Sequence, residues 1–269
     1  MGTLFLVHAH PDDEAISTGG VMMKAKKDGH RVVLVTATRD EAGEIHNMDA
    51  DSVRPRLGEV RTEELRHAAE ILGVDRSEFL GYRDSGMVGT PENDDKRSFH
   101  QAPLEEAAAR LAAILREERP DVVITYDADG TYGHPDHIKA HHVTNAALDL
   151  LAKEGWRPGK LYYTAIPRSL MEAFMENMPE DARNQNPDMR IVGTPDERVT
   201  TRVDVLEYVD RKRKAFAAHV TQNDPNSWFT TMTDQIYELA FGTEYDALER
   251  GKAGSEIPEA DVFVGIAPS

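Results

Sequence analysis

The chain has 269 residues, 40% of them hydrophobic and 29% charged, enough to bury a substantial core and unlike a disordered or membrane-spanning composition. Its 48 acidic residues against 31 basic ones give a formal charge of −17, a field that repels phosphate backbones and anionic headgroups, so nucleic acid is not an expected partner. There is no cysteine, which excludes disulfides, thiolate metal sites and cysteine nucleophiles, so any metal must be held by His, Asp or Glu.

The opening MGTLFLVHAHPDDE lacks a cationic start and its apolar run stops at His8, so it does not read as a secretory signal, and Leu6 breaks the myristoylation pattern. No run approaches the ~18 apolar residues that a membrane span needs. The cytoplasm is the expected location.

Thr3 to Val7 reads as a strand and Glu14 to Asp28 as a helix closed by Gly29. RVVLVTAT from Arg31 is almost wholly apolar, the composition of a strand covered on both faces. After a polar loop from Arg39 to Asp51, Leu65, Ala68, Ala69 and Leu72 recur at helical spacing in a helix from about Arg56 to Leu72, ended by Gly73. EFLGY is a short strand, and the polar stretch from Arg83 to Gln101 is a long surface loop and a candidate lid, its acidic run Glu92 to Asp95 a solvated tip. An amphipathic helix from Leu104 to Glu118 precedes the strand DVVITY, the loop DADGTYGHP, a helix from Asp136 to Glu154 and the strand KLYYTAI.

Four βα units with strands of this kind predict an α/β fold, a Rossmann-like three-layer sandwich around a mostly parallel sheet, spanning residues 1–166. Beyond Pro167 the alternation breaks into a helix near Arg168 to Asn177, a Pro- and Asn-rich stretch, a strand near Arg198 to Val203 and a helix from Val205 to Ala218. Residues 167–269 are therefore expected to form a smaller C-terminal extension that packs on the core and shapes the pocket.

Ligands of an open parallel sheet bind beyond the carboxyl ends of its strands. Those ends carry His8 to Glu14, Arg39 to Glu41, Arg83 to Ser85 and Asp127 to His137, all on one edge and dense in metal-ligating and acid-base groups. A dinucleotide site would need a glycine-rich turn after the first strand, and the carboxylates that stand there repel phosphate. The pattern fits a mononuclear centre of two imidazoles and one carboxylate, which leaves a position open for water. His10 and Asp13 can chelate from one turn; of His134 and His137, one would bind and the other would move protons.

The motifs AHPDDE (Ala9 to Glu14) and GHPDH (Gly133 to His137) resemble the PIG-L/LmbE family of zinc-dependent de-N-acetylases. The resemblance extends through Arg61-x-x-Glu64, Leu72-Gly73-Val74 and Tyr82 to Met87, covering about the first 165 residues, and fades to Ala218 to Gln222 in the tail. It implies His10, Asp13 and His137 as metal ligands for Zn2+, although these ligand types also suit Fe2+. It implies Asp12 as general base, His134 as oxyanion stabiliser or proton donor with Asp136 orienting its imidazole, and Tyr132 polarising the amide carbonyl. The stretch Tyr82 to Met87 and Arg61 are most similar to the mycothiol branch, which deacetylates N-acetylglucosaminyl-inositol. Arg61 and Asp84 would then bind polyol hydroxyls, with His219 as a further substrate contact. Ser17, where the related mycothiol-conjugate amidases carry Lys, tilts the choice towards a deacetylase.

Plainer roles stand beside these. His8 and His219 are readable as buried, hydrogen-bonded histidines, Asp13 and Asp136 as helix N-caps, Arg61 as the ion-pair partner of Glu63 or Glu64, and His141 as a neighbour of the site. The expected partner is a small amino-sugar conjugate, with a homo-oligomer left open. The rival activities are an amidase of larger conjugates, a deacetylase of an N-acetyl-sugar antibiotic intermediate and, from another class, a two-metal phosphoesterase.

Overall fold

The computed structural model describes residues 1–177 and 193–266. Seven strands, β1 (Thr3–His8), β2 (Arg31–Thr38), β3 (Arg76–Tyr82), β4 (Val122–Thr125), β5 (Lys160–Ala165), β6 (Thr201–Asp204) and β7 (Thr243–Gly251), form one sheet in the order β3-β2-β1-β4-β5-β7-β6. The first five are parallel, and β7 runs antiparallel to both β5 and β6. The helices are α1 (Asp13–Ser17), α2 (Gly19–Lys27), α3 (Ala50–Val53), α4 (Leu57–Leu72), α5 (Leu104–Glu118), α6 (Gly130–Gly133, a single distorted turn), α7 (Pro135–Lys153), α8 (Arg168–Asn177), α9 (Val209–Ala217), α10 (Trp228–Thr231) and α11 (Asp234–Phe241).

Three layers follow from the strand composition. Phe5 and Val7 of β1 face the core under α5 and α7, while Leu4 and Leu6 face a second core under α2, α4 and α9. Both sets are completely buried, so neither face of the central strands is polar. Each such Leu or Phe contributes ~1.5–3 kcal/mol relative to exposure.

The predicted helix from Glu14 to Asp28 is two helices, broken at Thr18. The reason is packing from the far end of the chain. A Cβ at Gly20 would meet Val205 Cβ at 2.4 Å, and the Glu244 carboxylate of β7 accepts the Gly20 and Val21 N–H groups at 2.8 and 2.7 Å. A carboxylate at a helix N-terminus is favoured by the exposed donors there, and buried Lys212 on α9 completes it at 2.6 Å.

The C-terminal segment thus enters the same sheet and the same core. The expected strand lies at Thr201–Asp204 after a 3₁₀ turn, the expected helix begins with a second 3₁₀ turn at Leu206–Tyr208, and β7 was not anticipated. Glu259 fixes the segment that follows, accepting from Lys160 Nζ at 2.6 Å and Tyr162 OH at 2.5 Å. The Pro- and Asn-rich stretch falls largely outside the described residues. The candidate lid is pinned near its ends by an Arg83–Ser98 bridge and by Phe99, which is buried in the core. Among the described residues no helix is long and apolar enough to cross a membrane.

Candidate active site

β1 pairs with β2 on one side and β4 on the other, so the chain leaves β1 and β4 in opposite directions and opens a crevice between their carboxyl ends. The β1 loop delivers His10, Asp12 and Asp13 to this crevice; the β4 loop and the start of α7 deliver Tyr132, His134, Asp136 and His137. Gly130 lets the two halves of the β4 loop meet, because a Cβ there would come within 2.9 Å of His137 Cβ.

Ring nitrogens of His10, His134 and His137 all lie within 4.8 Å of one another. Asp13 joins them, its Oδ2 at 3.5 Å from His10 Nδ1 and its Oδ1 at 3.4 Å from His137 Nε2. His137 is 2% exposed and neither of its ring nitrogens has a hydrogen-bond partner. Buried polar atoms are almost always satisfied, so this imidazole, facing a carboxylate and two further imidazoles, suits a divalent cation. Burial would raise the Asp13 carboxyl, but the nearby His137 and the bond from His10 hold it well below the usual range.

His10 shows how such a donor set is aimed. Its Nδ1 faces Asp13, and its Nε2 lies 3.3 Å from Asp136 Oδ2 and 3.6 Å from Asp84 Oδ1. A carboxylate behind a ligating imidazole fixes its orientation and raises its basicity. Asp136 was expected to orient His134. Its carboxylate instead takes His10 and the backbone N–H and hydroxyl of Ser85, while its own backbone N–H donates to His134 Nδ1 at 3.1 Å, because His134 occupies the N-cap of α7. Burial, then the neighbouring His10 and His137, push His134 down to about 2. Its neutral ring accepts at Nδ1 and carries its proton on Nε2.

Asp12 has φ 106, a conformation that side-chain-bearing residues rarely adopt. Its Oδ2 accepts from Arg61 Nη2 at 3.0 Å, and burial raises its carboxyl against the pull of that guanidinium. Arg61, expected at the substrate, is completely buried: beyond Asp12 it meets Glu64 at 3.0 Å, Asp40 at 2.8 Å, the Pro11 carbonyl and His219. His219 is likewise wholly buried, bonded to Glu14 at 2.7 Å. Neither presents surface to a substrate, because both are used up in contacts within the protein. Asp84 is also buried, accepting the Ala42 and Gly86 N–H groups at 2.9 Å.

Tyr132 is half-buried with its ring 5.1 Å from His137 and 6.0 Å from His134, and burial keeps its phenol protonated. Ser17 is half-buried at the end of α1, and no hydrogen bond among the described residues ties its hydroxyl to the cluster. His8 sits behind the site on Tyr126 and Thr18, and His141 turns to the Tyr126 carbonyl.

The sequence reading gave Tyr126, Glu14 and Asp40 no role of their own, although Glu14 and Asp40 lie in the strand-end segments it singled out. Tyr126 OH donates to Asp13 at 2.7 Å while its ring stacks on His137 at 4.1 Å. As the last residue of DVVITY, at the ligand edge of its strand, it carried a positional signal. Glu14 closed the first motif but read as a first-turn helix residue. Burial pushes Asp40 up to about 7 despite Arg61 beside it. Next to the cluster, Glu41, Arg54, Leu57, Gly58, Arg83 and Glu92 line a cleft of about 520 Å³, joined to the site by the Glu41 carboxylate on the Asp84 N–H at 3.0 Å.

Residues 5–148 match the family described as PIG-L: GlcNAc-PI de-N-acetylase. The chain belongs to the PIG-L family. Similar proteins include 1D-myo-inositol 2-acetamido-2-deoxy-alpha-D-glucopyranoside deacetylases from Acidothermus cellulolyticus, 44% identical over 98% of this chain and 95% of that one, and Thermomonospora curvata, 43% identical over 98% and 96%. Among solved structures, N,N'-diacetylchitobiose deacetylase from Pyrococcus horikoshii superposes with a TM-score of 0.61 over 92% of this chain and 83% of that one, at 20% identity, which shows a shared fold. The α/β architecture read from the sequence is the observed one.

Proposed function

We propose that this PIG-L protein hydrolyses the acetamide of a GlcNAc-containing small-molecule conjugate, N-acetylglucosaminyl-inositol being the substrate its relatives are named for, and releases acetate and a free amine. The observation that carries this reading is the extent of the likeness: it covers 98% of the chain, and so includes the C-terminal segment that closes the site through His219 as well as the ligand loops.

His10, Asp13 and His137 would hold the metal, Zn2+ by ligand type, with Fe2+ the alternative for the same donors. When bound, such an ion polarises an amide oxygen and acidifies an attacking water. Asp12 takes the proton from that water as its oxygen attacks the amide carbon, and returns it to the nitrogen as the C–N bond breaks. His134, with its Nε2–H free, stabilises the carbonyl oxygen as it gains charge, assisted by the protonated Tyr132. The polyol ring of the conjugate would occupy the cleft lined by Arg54 and Arg83.

A two-metal phosphoesterase is disfavoured by the donors themselves. Among the described residues the second metal-type cluster, His10, Asp84 and Asp136, shares His10 with the first and has its carboxylates engaged by Ser85, Ala42 and Gly86. The deciding experiment is primary-amine release from a panel of N-acetylglucosaminides, the inositol conjugate included, with the metal-loaded protein and an Asp12 variant as control. Release that vanishes in the variant supports the proposal; none from any member, with metal bound, overturns it.

A further inference from the structure

The strained residue Asp12 is gripped at two points by one closed circuit. Its backbone N–H donates to Glu14 Oε2 at 2.8 Å. Glu14 Oε1 lies 2.7 Å from His219 Nε2, and His219 Nδ1 lies 3.3 Å from Arg61 Nη1. Arg61 Nη2 then returns to Asp12 Oδ2 at 3.0 Å. A guanidinium only donates, so His219 Nδ1 must accept and its proton must sit on Nε2, where the Glu14 carboxylate receives it. Every bond therefore has a donor and an acceptor, with Arg61 donating at both of its bonds and Glu14 accepting at both of its own.

The circuit is dry and braced. Glu14, Arg61 and His219 are each 0% exposed. Glu64 holds Arg61 Nη1 at 3.0 Å and also accepts the Thr221 N–H and hydroxyl, each at 2.8 Å, which fixes the turn that carries His219. An uncommon backbone conformation persists where its surroundings over-determine it, and here the surroundings come from opposite ends of the chain.

We infer that Glu14 and His219 are positioning residues for Asp12: they hold its backbone and, through Arg61, its carboxylate, so that the C-terminal segment takes part in catalysis without touching substrate. This rests on Asp12 being the base, as proposed above.

The test compares Glu14→Gln, His219→Leu and His219→Gln with Asp12→Asn. Gln at position 14 preserves volume, yet whichever way its amide turns, one of its two bonds becomes donor against donor. The expected result is a fall in kcat of ~10- to 100-fold, the scale of a misaimed group, with KM and bound-metal stoichiometry within about twofold of wild type. His219→Gln retains a donor towards Glu14 and recovers part of the loss, and the Glu14→Gln/His219→Leu pair is no slower than the slower single variant. Imidazole-nitrogen NMR of the metal-free protein should show His219 protonated on Nε2.

Four results overturn the inference: an unchanged kcat while Asp12→Asn is inactive; a raised KM with kcat kept, which makes His219 a substrate contact; loss of metal; or the opposite His219 tautomer. Full activity in Asp12→Asn overturns the reading of the base instead. If His219→Leu fails to fold, the isosteric Glu14→Gln decides.

Discussion

Asp12→Asn removes a proton acceptor and leaves its setting in place. Among the described residues Asp12 accepts through Oδ2, from Arg61 at 3.0 Å, and its side chain keeps 19% exposure. The Asn carbonyl can keep the Arg61 bond and turn its NH2 group, which takes no proton, to the reacting side. Arg61 stays compensated by Asp40 at 2.8 Å and Glu64 at 3.0 Å, so the buried guanidinium is not orphaned. Asn also tolerates positive φ better than Ala, which makes it the cleaner probe of the reaction. A general base contributes ~10²–10⁴-fold, or ~2.7–5.4 kcal/mol at 1.36 kcal/mol per decade. The expected outcome is that loss in kcat, measured as amine release, with metal content by elemental analysis and thermal midpoint both near wild type. Retention of more than about a tenth of the activity would refute the assignment, and loss of the metal would make Asp12 a ligand.

His137→Ala should lose metal and activity together, because neither nitrogen of that buried ring has a hydrogen-bond partner among the described residues; retained metal after dialysis would remove it from the donor set. Glu244→Gln should destabilise the fold by ~3–5 kcal/mol in urea titrations, since it leaves Lys212, 1% exposed, without its counterion; a change under ~1 kcal/mol would mean that the pair is dispensable. Burial tends to raise Asp75, but Lys26 at 2.7 Å and the Val32 N–H at 2.8 Å hold its carboxyl below the usual range. Its stabilisation is then present above the unfolded value of ~3.9 and lost as pH falls through the lower folded value. Asp75→Asn should accordingly be less stable by under ~1 kcal/mol at neutral pH, the pair being partly exposed, and the gap should narrow below about pH 4; a gap that widens in acid contradicts the sign.

The fold was legible wherever burial on both faces forced a strand to be apolar throughout, as in RVVLVTAT, and where a glycine such as Gly73 ended a helix. β7 escaped because TEYDALERG mixes charges that the structure satisfies one at a time: Glu244 on the α2 terminus, Arg250 on Asp149 at 2.6 Å. The break at Thr18 was invisible for the same reason, its causes, Val205 and Glu244, lying far along the chain. In the site, His10, Asp12, Asp13, His134 and His137 stood out because the sheet rule picks strand ends. Which charged group faces which was not legible: the surroundings of Arg61 and Asp136 depend on which carboxylates and which N–H groups the loops bring close, and a spacing in one segment does not encode that.

Glu14 and His219 are 205 positions apart, whereas His10, Asp13 and His137 lie in the first half of the chain or close to it. A ribosome adds about 5–20 residues per second, so every expected metal ligand is made seconds before the histidine that completes the grip on Asp12. Synthesis itself therefore orders the two groups of residues, the expected ligand loops first and the turn that closes the circuit around Asp12 second. A chain interrupted after β5 would keep Glu14 and Arg61 beside Asp12 but lack the histidine that links them, so an exchange of tails between relatives must carry the turn at His219 with it.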